Sequence, residues 1–254
     1  MTGLPYILLL ALMPAAGNFV GGLIAEFTTT TKRTLSLALH FAAGIIFAVI
    51  ALELAPRAFE GAPVWMAALA LFVGGLFYIL LEAVVERFVG GHDDKMPASL
   101  AETGSSSSWM IYAAVAVDLF ADGLLIGTSS TLSLGLALVV ALGQVTADLP
   151  EGFATVANFK DKGVPRTKRL LLTASLAFPI LFGALLSYFV LKDLGPTIQL
   201  TALAFVAGLL LVAASEELMG EAHDSTEDTR WSIVALVAGF VLFGLVSGYF
   251  EPPG

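Results

Sequence analysis

"FAAGIIFAVIALELAPRA", residues 41–58, is a long apolar run that carries a single acid, Glu53. A helix needs about 20 mostly apolar residues to cross a bilayer core. The same pattern returns as "FVAGLLLVAASEELMGEA", residues 205–222, at a constant offset of 164. Phe41 aligns with Phe205, Gly44 with Gly208, Glu53 with Glu217 and Leu54 with Leu218. The register continues weakly from "VGGL" (73–76) to "VAGF" (237–240). Shared glycines and acids at one offset argue for a repeat rather than for two apolar helices alike by composition.

Counting outward from these segments gives eight spans: 4–27, 35–58, 63–88, 108–130, 132–158, 169–191, 197–220 and 231–250. The breaks between them are polar. "TTTTKRT" (28–34) and "KDKGVPRTKR" (160–169) are basic, and "EAHDSTEDTR" (221–230) is acidic. "GGHDDKMPASLAETGSSSS", read as 90–108, is Gly/Ser-rich and charged, and is expected to be a flexible cytoplasmic loop. Span 7 follows span 2 by five crossings, so the two run in opposite directions. Inverted repeats around a central unit characterise transporters, with the site expected near mid-bilayer. The predicted fold is all-α: one transmembrane domain over 1–254, with eight helices in a 3+2+3 arrangement and inverted repeats in spans 1–3 and 6–8.

Composition agrees. Of 254 residues, 57% are hydrophobic and only 13% charged, whereas soluble domains are about a quarter charged. Mean hydropathy is +0.89. There is no cysteine, which excludes disulfides and thiolate metal sites. The first apolar run has no basic residue before it and is expected to be retained as a span. Ten basic residues fall on one side: Lys32, Arg33, Arg87, Lys95, Lys160, Lys162, Arg166, Lys168, Arg169 and Arg230. Only Arg57 and Lys192 fall on the other. The positive-inside rule then puts both termini outside a cell (plasma) membrane. The expected partners are the lipid bilayer and small ions, not nucleic acid, and a homodimer is left open. Nothing points to an enzyme.

Acids inside spans cost free energy and mark function by default. They are Glu53, Glu82, Asp118, Asp122, Asp148, Glu151, Glu216 and Glu217, with Glu26, Glu86 and Glu221 nearer the ends. In "DLFADG" (118–123), Asp118 and Asp122 share a helix face at i, i+4. In "ADLPEG" (147–152), Asp148 and Glu151 do so at i, i+3. Pro150 leaves the Thr146 carbonyl without its helical donor. Four carboxylates converging in mid-bilayer cannot all ionise without a counter-cation. A divalent metal ion supplies that charge. Ordered by depth, Glu53 lies outermost, the four-acid group is central, and Glu216 and Glu217 lie towards the cytoplasm. His223, with Glu221 and Glu217, is a candidate exit site, whereas His40 and His92 read as interfacial and solvated.

On these residues the chain resembles the ZIP (ZRT/IRT-like) metal transporters. "ADLPEG" is close to the family's fifth-span pattern of polar residue, Asp, apolar, Pro, Glu, Gly. "DLFADG" stands where the family has His, Asn, apolar, Pro, Glu, Gly. "FVAGLLLVAASEELMGEAH" (205–223) looks like the seventh span. The chain departs from the pattern at Asp118, Leu119, Ala121, Asp122 and Ala147, and the sixth-span Glu-Pro reads Phe178-Pro179. The resemblance implies uptake of a divalent metal as substrate, zinc first with Mn²⁺ or Fe²⁺ as alternatives, by alternating access and with no resident cofactor. The departures imply one metal held by Asp118, Asp122 and Glu151, with Asp148 beside them. They also keep two other readings open: a non-transporting metal sensor or scaffold, and a proton-coupled carrier of another solute.

Overall fold

The computed structural model describes residues 3–29, 31–90, 105–219 and 230–250. Among these, eight helices are long and apolar enough to cross a membrane. They are α1 (Leu4–Phe27), α2 (Lys32–Gly61), α3 (Val64–Val85), α4 (Ser108–Leu132), α5 (Leu134–Asp161), α6 (Arg166–Leu191), α7 (Pro196–Glu216) and α8 (Arg230–Phe250). No strand occurs among the described residues. The fold is thus the all-α polytopic membrane architecture that the apolar runs predict. Most of the expected loop at 90–108 (91–104) lies outside the described residues, but "SSSS" (105–108) already forms the first turn leading into α4.

Helix ends follow local chemistry. The Thr31 hydroxyl caps α2 by accepting from the Thr34 amide at 3.1 Å, and Ser133 caps α5 by accepting from the Leu136 amide at 3.0 Å. Lys160 donates to the carbonyls of Ala25 and Thr28 at 2.7 and 3.1 Å, so a cation closes the C-terminal end of α1. α6 breaks at Leu176, between Arg166–Ser175 and Ala177–Leu191. Pro179 explains the break, because its ring has no N–H to offer the Ser175 carbonyl.

The repeat is physical. α2 contains a π-helical segment at Val49–Leu54, and a second, Ala214–Leu218, runs on from the end of α7, so their last residues are 164 apart. Glu53 and Glu217, the acids that align in sequence, fall within these two segments. π-Segments are rare and concentrate at functional positions.

Glycine contacts show how the repeats interlock. In α2, Gly44 packs on the backbone of Leu236 in α8; in α7, Gly208 packs on the backbone of Leu71 in α3. Conversely Gly239 of α8 meets the Phe41 carbonyl and Gly74 of α3 meets the Phe205 carbonyl. The relation exchanges α2 with α7 and α3 with α8. It also governs the rest of the bundle. Gly21 of α1 packs on Leu149 of α5, and Gly183 of α6 packs on Phe120 of α4. Gly152 of α5 meets the Asn18 carbonyl, and Gly123 of α4 meets the Ile180 carbonyl. Close backbone approach through glycine is the standard device for packing helices in lipid, where no hydrophobic force separates helix from solvent. The repeats are therefore not two separate three-helix blocks flanking α4 and α5. Each lends its first helix to the central pair and crosses its other two with those of its mate.

Candidate metal centre

The swap brings "DLFADG" and "ADLPEG" into equivalent places on antiparallel helices. Gly123 and Gly152 occupy matching contacts, so Asp122 and Glu151, each one residue earlier, are symmetry mates. α5 continues through Pro150 as one helix, Leu134–Asp161. Thr146 Oγ1 donates to the Leu142 carbonyl at 2.9 Å, and Thr155 Oγ1 donates to the Glu151 carbonyl at 2.9 Å.

All four central acids are buried. Asp118 is 1% exposed, Asp122 and Asp148 are 0%, and Glu151 is 6%. They form facing pairs: Asp118 lies within hydrogen-bonding reach of Glu151, and Asp122 of Asp148. Among the described residues, both carboxylate oxygens of Asp118 and of Asp148, and Oδ2 of Asp122, lack a donor. No three acidic or histidine side chains among the described residues form a ready-made cage. The carboxylates stand as two facing pairs across the α4–α5 interface, close enough for each pair to feel the other's charge. Two facing carboxylates are both acceptors, so a shared proton or a cation between them relieves their repulsion in a low-dielectric interior.

The remaining sequence candidates lie elsewhere. Glu53 is buried but not free. Its Oε2 accepts from Arg57 at 3.0 Å, and its Oε1 accepts from Ser247 of α8. The i, i+4 arginine neutralises Glu53, so this acid fastens α2 to α8 instead of waiting for a cation. Glu216 is exposed. The Glu217 side chain, Glu221 and His223 lie outside the described residues, as does His92. Glu26, expected near a span end, accepts from Arg169 at 2.5 and 2.9 Å, with Arg166 3.6 Å away. His40 is buried, with Nδ1 2.8 Å from the Ser36 carbonyl, rather than interfacial. Phe178, aligned with the family's sixth-span glutamate, is 74% exposed on the surface of α6.

Two polar side chains escaped the sequence reading. Gln144, 0% exposed on α5, donates from Nε2 to Asp122 Oδ1, and its Oε1 has no partner. Asn18 of α1, 1% exposed and opposite Gly152, has neither side-chain atom bonded. The available signal was a carboxamide inside an apolar span, with Gln144 four residues before Asp148.

No protein-family model matches the chain. Curated relatives do. A zinc transporter ZupT from Chlorobium luteolum is 27% identical over 256 residues, covering 94% of this chain and 95% of the relative. One from Chlorobium phaeovibrioides is 29% identical over 259 residues, with the same coverage. A third, from Chlorobium limicola, is 27% identical over 239 residues, covering 87% and 89%. The chain is thus similar over nearly its whole length to bacterial proteins named as zinc transporters. Matches that run almost end to end in both partners align whole transmembrane domains rather than one shared helix.

Proposed function

We propose that this protein is a non-enzymatic membrane transporter that carries a divalent metal cation, zinc first, through the carboxylates of α4 and α5. One observation carries the reading: Asp118, Asp122, Asp148 and Glu151 are buried together, and among the described residues no cationic side chain bonds to them. A doubly charged ion entering between the pairs supplies the missing charge and gives the orphaned oxygens a partner. Protons hold the site when it is empty and leave when the ion binds. All-oxygen ligation suits hard ions such as Mn²⁺ as well as zinc, so Mn²⁺ and Fe²⁺ remain in the proposal.

The glycine contacts support a division of labour. α1 is locked to α5 and α6 to α4, while the Glu26–Arg169 pair ties α1 to α6. These four helices move as one body carrying the site. α2, α3, α7 and α8, locked by their own glycines and by Glu53–Ser247, form the frame. Alternating access then slides or rocks one body against the other around an approximate two-fold axis. A rigid 3+2+3 grouping is disfavoured, because separating α1 from α5 or α6 from α4 breaks backbone-to-backbone contacts. The basic end of the bundle is assigned to the cytoplasm, with the termini outside.

Uptake of radioactive zinc into proteoliposomes tests the reading. Saturable uptake by the protein, lost in Glu151→Gln, is the expected result. Tight zinc binding without flux would favour a sensor or scaffold. Proton flux without metal would favour a carrier of another solute.

A further inference from the structure

Gln144 is more than a packing residue. It is fully buried, and only one half of its amide is used. Nε2 donates to Asp122 while Oε1 stays without a donor. Buried carbonyl oxygens left without a partner are uncommon and call for an explanation. A side chain chosen only to fill space there would be Leu or Met, with no polar atom to bury. Gln144, Ala147, Asp148 and Glu151 lie on one face of α5 by the i, i+3, i+4, i+7 spacing. Gln144 places a carboxamide one turn before Asp148 on that face. Its counterpart on α4, by the relation that equates Glu151 with Asp122, is apolar Val115. The side chain thus breaks the two-fold symmetry of the centre on one side only.

We propose that Gln144 is a specificity-determining ligand, whose Oε1 joins Asp122 and Asp148 in holding the cation. The inference rests on the reading of the four carboxylates as a cation site. In the empty site the amide nitrogen holds Asp122. Once a metal neutralises Asp122, the amide turns about its terminal torsion, which is broad and roughly two-fold, and presents oxygen. A neutral carbonyl raises the coordination number without adding negative charge. Ions that prefer six or more oxygens gain from that extra ligand. Zinc, commonly content with four ligands, gains less. Gln144 therefore tilts the site towards Mn²⁺.

The test titrates the purified full-length protein with Zn²⁺ and with Mn²⁺, in the wild type and in Gln144→Met, Gln144→Asn, Gln144→Glu and Asp122→Asn. Gln144→Met keeps the volume and removes the amide. It is expected to weaken Mn²⁺ by about tenfold and Zn²⁺ clearly less, the scale of one bond to a charged group. Gln144→Glu restores an oxygen and is expected to restore Mn²⁺ affinity. An equal loss for both metals would mean that Gln144 only positions Asp122, and overturns the proposal; so does no loss. If Gln144→Met fails to fold, Gln144→Asn decides. It keeps the amide but is one methylene short, and must also lose the Mn²⁺ preference, or the proposal falls. Normal binding by Asp122→Asn would instead sink the central site itself, an outcome distinct from failure at Gln144 alone.

Discussion

Gly152→Ala should separate α1 from α5 and disturb the centre from one residue away. A methyl group at position 152 would lie 2.6 Å from the Asn18 carbonyl carbon and 2.8 Å from Asn18 Cα, and closer still to the carbonyl oxygen. Carbon–carbon contacts are comfortable at about 3.5–4.0 Å, so the two backbones must part by roughly 1 Å. The obstructing atoms are main chain, so no rotamer change relieves the clash. Overpacking of this kind costs about 1–3 kcal/mol; with backbone on both sides, the upper end, about 3 kcal/mol, is expected. The displaced α5 also carries Glu151 away from Asp118, so metal affinity falls with stability. Thermal unfolding in detergent, followed with and without zinc, reads both effects. Gly248→Ala is the control: nothing lies within 4 Å of the added methyl, and the helix gains rather than loses. A Gly152→Ala protein that melts with the wild type and binds zinc normally would refute the α1–α5 contact and the grouping built on it.

Arg169→Ala leaves Glu26, whose side chain is 3% exposed, without its strongest partner. A loss of about 3 kcal/mol is expected, measured by chemical denaturation in detergent and little changed by salt. Arg57→Ala is expected to destabilise the fold by uncovering buried Glu53, while leaving zinc affinity within about twofold, because Glu53 is a fastener; a large affinity loss in titration would restore it as a ligand. Asp118→His introduces the borderline nitrogen ligand that zinc favours and should raise the Zn²⁺-to-Mn²⁺ affinity ratio; an unchanged ratio in competition titrations removes Asp118 from the ligand set. Zinc binding should release protons and strengthen as pH rises, since protons hold the empty carboxylates. Calorimetry in buffers of different ionisation enthalpy checks this, and zero proton release contradicts it.

The fold was legible because its signals are one-dimensional. Apolar length counts spans, and the 164-residue offset of Gly44 and Glu53 against Gly208 and Glu217 exposes the repeat. Which helix touches which was not legible. Gly21, Gly74, Gly183 and Gly239 look alike in sequence, and only the structure shows whose carbonyl each meets. That the central acids come together was legible because i, i+4 and i, i+3 spacings set Asp118 with Asp122, and Asp148 with Glu151, on single helix faces. Their partners were less so. Arg57, read as a residue at a span end, sits one turn from Glu53 and cancels its charge. Phe178 was matched by its neighbour Pro179, but its side chain lies exposed on the surface of α6. Gln144 was overlooked because a neutral carboxamide hardly alters hydropathy, although burying one costs free energy.

The most direct test of the central claim is an anomalous-scattering map from crystals of the protein grown with zinc. A metal peak between α4 and α5, within about 2.0–2.2 Å of carboxylate oxygens of Asp122 and Glu151, is the predicted result. Ordered carboxylates with no peak between them, and zinc only at the helix ends or loops, would contradict it.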